Sequence, residues 1–231
     1  MAKPPIILLH PALGAAGQLE PLAAALNDEF DVHCLDFEGH GGAGLPGRDM
    51  RTSYLAEGVL GYLDAHHLAA VPIFGHSMGG YVALYLALHA PERVCRVHTL
   101  GTRVFWDPQV AEVLLRELDA DRIADKVPAF AQVLAARHPS IDWRIVVERT
   151  RSMIERLGQS PDLNAQELAG IGQRVRLGVG DRDHLTSLQM CEEAMRTLND
   201  GELIVFPRTS HPLERAPIED VARSLISFCN G

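Results

Sequence analysis

Six short apolar runs rich in Ile, Val and Leu punctuate the chain, at 5–10, 31–37, 71–76, 94–101, 174–180 and 201–207. Their near-continuous hydrophobicity predicts strands buried on both faces, not the alternation of a half-exposed sheet. Between most of them apolar positions recur at helical spacing, which predicts helices at about 18–27, 51–67, 78–90, 186–198 and 216–229. Parallel neighbours need a crossover, and the crossover is normally helical. The alternation therefore predicts an α/β chain with about six strands, mainly or entirely parallel, flanked by helices.

The interval from about 102 to 170 breaks this rhythm. It has no strand pattern, and its apolar positions (Val110, Val113, Leu114, Leu118; Ile123, Val127, Phe130, Leu134; Ile145, Met153, Ile154, Leu157) read as helical stripes. An all-helical insert beyond the C-terminal end of a strand lies where open α/β sheets keep their ligands, so it is a candidate lid. The interval also holds both tryptophans, Trp106 and Trp143, and nine of the 21 basic residues. Arg144, Arg149, Arg151 and Arg156 read either as a solvated helix face or as an anion site. Eleven acidic residues in the same interval favour the solvated face.

Composition narrows the class. With 21 Lys+Arg against 30 Asp+Glu in 231 residues, the formal charge is −9, which argues against a nucleic-acid partner. Hydrophobic residues at 47% and charged residues at 22% fit a chain with a real core and no need of a disulfide or metal. Cys34, Cys95, Cys191 and Cys229 are scattered without metal-ligand spacing, and read as reduced, mostly buried thiols of a cytoplasmic protein. The apolar run Ile6–Leu9 is too short for a signal-peptide core, and no window approaches the length of a membrane span.

The chemistry concentrates at Gly75-His76-Ser77-Met78-Gly79, a G-x-S-x-G sequence between the apolar run 71–76 and the helical pattern 78–90. A serine forced into a tight strand-to-helix turn stands exposed above the sheet, and small residues two positions either side let the backbones pass closely. The helix that starts there aims its N–H groups at a developing anion. Nine serines and 20 glycines in 231 residues give roughly 0.07 chance matches at average composition, so the strand-turn-helix context decides the reading. A nucleophilic serine needs an imidazole base, and the base needs a carboxylate to hold its tautomer. Both are expected at later strand ends. Gly180-Asp181-Arg182-Asp183-His184 follows one strand and Thr209-Ser210-His211-Pro212 follows the last. Of eleven histidines, His66 and His67 lie on a helix, His33 and His98 lie within strands, and His76, His138 and His184 lie in the elbow, the insert and the acid loop. His211 alone follows the last strand, which makes it the candidate base. Asp181 and Asp183 both remain candidates for the acid.

These residues resemble those of the α/β-hydrolase superfamily over nearly the whole chain. Leu8-Leu9-His10-Pro11-Ala12-Leu13-Gly14 is similar to the strand and loop that supply an oxyanion-hole N–H. Asp36-Phe37-Glu38-Gly39-His40-Gly41 resembles the D-x-x-G-H-G turn, and Gly180–Asp183 resembles the G-x-x-D acid loop. The resemblance implies Ser77, Asp183 and His211 as a catalytic triad and the insert as a helical cap. It also implies a single hydrolase domain over 1–231. Pro11 stands where the family usually has glycine and carries no N–H, so the implied oxyanion donors are the backbone N–H groups of Ala12 and Met78. Ala43 replaces a frequent Ser or Thr, and the first two strands of the common eight-stranded form are absent.

The implied function is hydrolysis of a small carboxylic ester or thioester through an acyl-serine, with no cofactor and no metal. C–C bond hydrolases, lyases and perhydrolases share the triad, and a ligand-binding module with vestigial hydrolysis is the reading from another class. Candidate pocket residues are Arg103, Phe105 and Trp106 beyond a strand end, Leu185 beside the acid loop, and His10, which is either structural or pocket-lining. Oligomeric state leaves no mark in the sequence.

Overall fold

The computed structural model describes residues 2–231. Among these, six strands form one sheet: β1 (Pro5–Leu9), β2 (Asp31–Leu35), β3 (Val71–His76), β4 (Val94–Leu100), β5 (Arg174–Gly180) and β6 (Gly201–Phe206). Their order is β2-β1-β3-β4-β5-β6, and every neighbouring pair is parallel. The boundaries lie within two residues of the apolar runs, but burial on both faces holds only for the inner strands: the edge strands β2 and β6 are largely half-buried, and Val205 of β6 is exposed.

Helix α1 (Glu20–Leu26) and the last helix, α10 (Ile218–Asn230), cover one face, where Leu22, Leu26, Val221 and Leu225 pack on Ile6, Leu8 and Phe74. The opposite face is covered by α2 (Thr52–Ala65), α3 (Met78–His89) and α9 (Leu188–Thr197), through residues such as Leu55, Leu84 and Ala194 against Ile7, Ile73 and Val97. From β1 the chain first builds outward to β2, then returns past β1 to β3 and continues the other way. The reversal opens a crevice beyond the carboxyl ends of β1 and β3. Those ends lead directly into His10–Ala12 and into Ser77.

Five helices lie between β4 and β5: α4 (Pro108–Glu117), α5 (Ala120–Lys126), α6 (Pro128–Arg137), α7 (Trp143–Gln159) and α8 (Ala165–Ala169). Asp107, Asp119 and Asp142 cap the first, second and fourth, each accepting from a backbone N–H of the first turn at 2.7–2.9 Å. Here the stripes read from the sequence need correcting. Ile123, Val127, Phe130 and Leu134 do not share one helix: Pro128 lacks the N–H that would continue α5 and instead opens α6. Ile123 and Leu134 are buried, while Val127 and Phe130 are exposed and line the cavity that opens over Ser77. On α7 the buried stripe begins at Trp143 and continues through Val146 and Val147, leaving Ile145 exposed. Cys95 is likewise exposed, although Cys191 is buried and all four thiols are free.

Candidate active site

β3 ends at His76, and Ser77 takes φ +51°, ψ −114° before α3 begins at Met78. A non-glycine residue at positive φ is costly and persists only where its surroundings fix it. Ser77 N–H donates to Leu100 O at 2.9 Å, while Ser77 O accepts from Gly80 N–H at 3.0 Å and from Thr102 Oγ1 at 3.0 Å. Gly75 lets strand and helix meet: a Cβ there would lie 2.3 Å from Gly79 C and Gly80 N.

His211 Nε2 lies 3.1 Å from Ser77 Oγ, and His211 Nδ1 lies 2.7 Å from Asp183 Oδ2. The other carboxylate oxygen, Asp183 Oδ1, accepts from Leu185 N–H at 2.8 Å and Thr186 N–H at 2.9 Å. Burial alone would raise the Asp183 carboxyl, but the bond and charge of His211 and those two N–H groups outweigh it and hold the group below its ordinary value. An ionised Asp183 can only accept, so Nδ1 carries the imidazole proton and the Nε2 lone pair faces the serine hydroxyl. Asp181, the other candidate acid, points away: it is exposed and accepts from Thr209 N–H at 3.1 Å, bracing the loop that carries His211.

Two neighbours that the sequence did not single out shape this chain of bonds. Gly101, at φ +60°, lies beneath it, and a Cβ there would come within 2.9 Å of Asp183 Oδ2 and 3.2 Å of His211 Nδ1. His76 donates from Nε2 to the backbone carbonyl of His211 at 2.9 Å, and burial pushes its imidazole down to about 3. It is therefore a neutral brace with its Nδ1 lone pair buried and unpaired.

A cavity of about 450 Å³ opens over Ser77 between the sheet and the inserted helices, a volume suited to a small-molecule ligand. Ala12 and Met78 line it beside Ser77 and His211; Leu114, Ile123, Met153, Ile154 and Leu157 form an apolar wall from the insert. Met78 begins α3, so its N–H has no carbonyl one turn back to bond.

Of the other pocket candidates, Arg103, Trp106 and Leu185 line the cavity, whereas His10 and Phe105 do not. His10 is fully buried; its Nδ1 donates to Pro11 O at 2.8 Å and its Nε2 accepts from Phe37 N–H at 3.1 Å, so both ring nitrogens serve the backbone. Phe105 packs between the main core and the cluster of Val179, Met190 and Cys191. The Arg103 guanidinium donates to Leu185 O, next to the N–H groups that hold Asp183. The arginine cluster is also accounted for. Arg149 donates to Arg48 O and Pro46 O, Arg151 to Leu115 O and Leu118 O, and Arg156 pairs in two-pronged fashion with Asp162, while Arg144 lies over the Trp143 ring. Gln18, Arg137 and Glu214 rim the cavity unforeseen, with Glu214 Oε1 accepting from Gln18 at 2.7 Å and from Arg137 at 2.5 Å.

Residues 4–155 match the family model described as the alpha/beta hydrolase fold. The chain belongs to that family. As an α/β-hydrolase-fold protein it is 27% identical over 190 residues to the dihydrolipoyllysine-residue acetyltransferase component of the acetoin cleaving system from Cupriavidus necator, covering 76% of this chain and 50% of that one. It thus spans about half the length of that curated relative. It is 26% identical over 233 residues to the pimeloyl-[acyl-carrier protein] methyl ester esterase of Nitrosomonas europaea, covering 90% and 88% of the two chains. Among solved α/β-hydrolase structures, the enol-lactonase from Burkholderia xenovorans superposes with a TM-score of 0.81 at 20% identity, covering 100% of this chain and 93% of that one, a likeness of fold.

Proposed function

We propose that the protein is a serine hydrolase that cleaves a carboxylic ester or thioester through an acyl-serine intermediate. The observation that carries this reading is the unbroken succession Ser77 Oγ, His211 Nε2, His211 Nδ1, Asp183 Oδ2 at 3.1 and 2.7 Å on the floor of an apolar cavity. His211 takes the hydroxyl proton as Ser77 Oγ attacks the acyl carbon, and Asp183 stabilises the imidazolium. The oxyanion then forms between the N–H groups of Ala12 and Met78, where each such donor contributes about 3 kcal/mol to the transition state. His211 returns the proton to the leaving group, then activates water to release the acid.

The helices from α4 to α8 act in this reading as a cap whose apolar wall receives the acyl chain. Relatives named as esterases, including the carboxylesterase YbfK of Bacillus subtilis at 25% identity over 240 residues, support the ester class. A fluorophosphonate probe tests the assignment: the parent protein should be labelled and Ser77→Ala should not. Equal labelling of the two removes Ser77 from the chemistry.

A further inference from the structure

The loop after β1 has to hold Ala12 N–H in place, yet its own geometry does little to fix it. The turn from Pro11 to Gly14 closes with Gly14 N–H on Pro11 O at 3.0 Å, but its third residue, Leu13, has φ +56°. That is the left-handed region, disfavoured by about 1–2 kcal/mol for an L-residue with a side chain. Something outside the turn must select this conformation.

Two observations locate the restraint in the inserted helices. First, the Leu13 side chain is buried in a cluster with Ile123, Leu134, Ile141, Trp143, Val146 and Val147; among the described residues, Leu13 alone enters that cluster from outside 118–147. Second, His138, buried just beyond the end of α6, lies between two backbone segments of the sheet layer. Gly41 N–H donates to His138 Nδ1 at 2.9 Å, and His138 Nε2 lies 3.3 Å from Leu13 O. An N–H can only donate, so Nδ1 is the acceptor, the ring proton sits on Nε2, and Nε2–H donates to the Leu13 carbonyl. The Gly41 bond thus sets the tautomer that grips Leu13. Burial lowers the His138 imidazole, which keeps it neutral and this tautomer in place.

We propose that His138 is a positioning residue for catalysis, holding the Leu13 carbonyl so that the adjacent Ala12 N–H stays aimed at the oxyanion, and that the insert thereby assembles part of the reaction centre. The proposal rests on the acyl-serine reading above. His138 touches no substrate; it acts through Leu13. Its loss therefore lowers kcat on a small p-nitrophenyl ester by ~10- to 100-fold, as expected for a displaced oxyanion donor, with KM within about twofold because His138 itself lines no part of the cavity and the apolar wall from the insert stays in place.

The experiment compares His138→Ala, His138→Gln and His138→Asn. The glutamine amide places an N–H near the Nε2 position, whereas asparagine places an acceptor near Nδ1 and so restores only the Gly41 contact. The expected result is a fall in kcat for H138A and H138N, and recovery to within about threefold of the parent in H138Q. Unchanged kcat in H138A, a loss confined to KM, or recovery by asparagine in place of glutamine would each overturn the proposal. If H138A does not fold, the glutamine and asparagine variants decide between the same outcomes. If the parent neither hydrolyses the ester nor takes the fluorophosphonate, it is the acyl-serine reading that has failed. Amide hydrogen exchange over 12–14 then decides the His138 contact: faster exchange in H138N than in H138Q supports it, and equal exchange refutes it.

Discussion

Replacing Asp183 by asparagine gives a test whose outcome can be worked from the hydrogen bonds. Asp183 Oδ1 accepts two backbone N–H groups, from Leu185 at 2.8 Å and Thr186 at 2.9 Å, while Oδ2 faces His211 Nδ1 at 2.7 Å. In Asp183→Asn the amide oxygen must stay with the two N–H donors, since turning it would set an NH2 group against both and leave buried donors unpaired. The NH2 group then faces His211 Nδ1 and forces that nitrogen to accept. The imidazole proton moves to Nε2, where it points at Ser77 Oγ and removes the lone pair that takes the hydroxyl proton in the proposed mechanism. The shape is kept, and the chemistry is lost. A wrong-tautomer base costs about 10⁴-fold in kcat, or about 5.5 kcal/mol of transition-state stabilisation. The assay is steady-state hydrolysis of p-nitrophenyl butyrate, with a thermal melt to show that the variant folds. A folded D183N variant with more than about a tenth of the parent kcat refutes both the tautomer argument and the role of Asp183.

Three further outcomes follow. His10, His76 and His98 are buried and pushed down to about 4, about 3 and about 3, against about 6.5 in an unfolded chain. The unfolded state therefore binds more protons below that value, and stability present above about pH 6.5 is lost as the pH falls toward the folded values. His98→Gln, remote from Ser77 and bonded to Ser224 Oγ, should reduce the slope of unfolding free energy against pH over about 6.5 to 4.5 by close to one proton, about 1.4 kcal/mol per pH unit; an unchanged slope shows that His98 is charged when folded. Gly75→Ala should destabilise by about 3 kcal/mol or more, since its methyl group meets the backbone of α3 and neither element can yield cheaply; a melting temperature equal to the parent's would show that strand and helix are not so closely apposed. Met153→Trp should fill the cavity wall and cut turnover of a hexanoate ester at least ~10-fold relative to acetate; an unaltered ratio places the acyl chain elsewhere.

What the sequence disclosed follows from what is local. Parallel strands in a covered sheet stand out as short, mostly apolar runs, and G-x-S-x-G declares a sharp turn by composition, so the sheet and the turn at Ser77 were legible. Asp183 could be separated from Asp181 only by resemblance, because alternate residues of one loop differ in direction and not in chemistry. His10 was half legible: its place beside the site was apparent, but not that Pro11 O and Phe37 N–H consume both ring nitrogens. The arginines of α7 read chiefly as a solvated face, yet three of the four bond to neighbouring backbone or to Asp162. His138 left no signal at all. Its partners Gly41 and Leu13 lie 97 and 125 positions away, and a histidine at the end of a helix looks the same whether or not it holds a distant carbonyl.

The burial of Leu13 among residues of the insert bears on how such a protein could be re-engineered. Exchanging residues 102–170 for the corresponding segment of a relative is an obvious route to new selectivity, and it treats the segment as an interchangeable module. With Leu13 anchored inside that segment's own hydrophobic cluster, a transplant that supplies a fitting binding surface but no socket for this leucine would yield a chimera that recognises its new ester and turns it over slowly. Libraries randomising the segment should therefore keep positions 118, 123, 134, 138, 141, 143, 146 and 147 constant and spend their diversity at 114, 153 and 157.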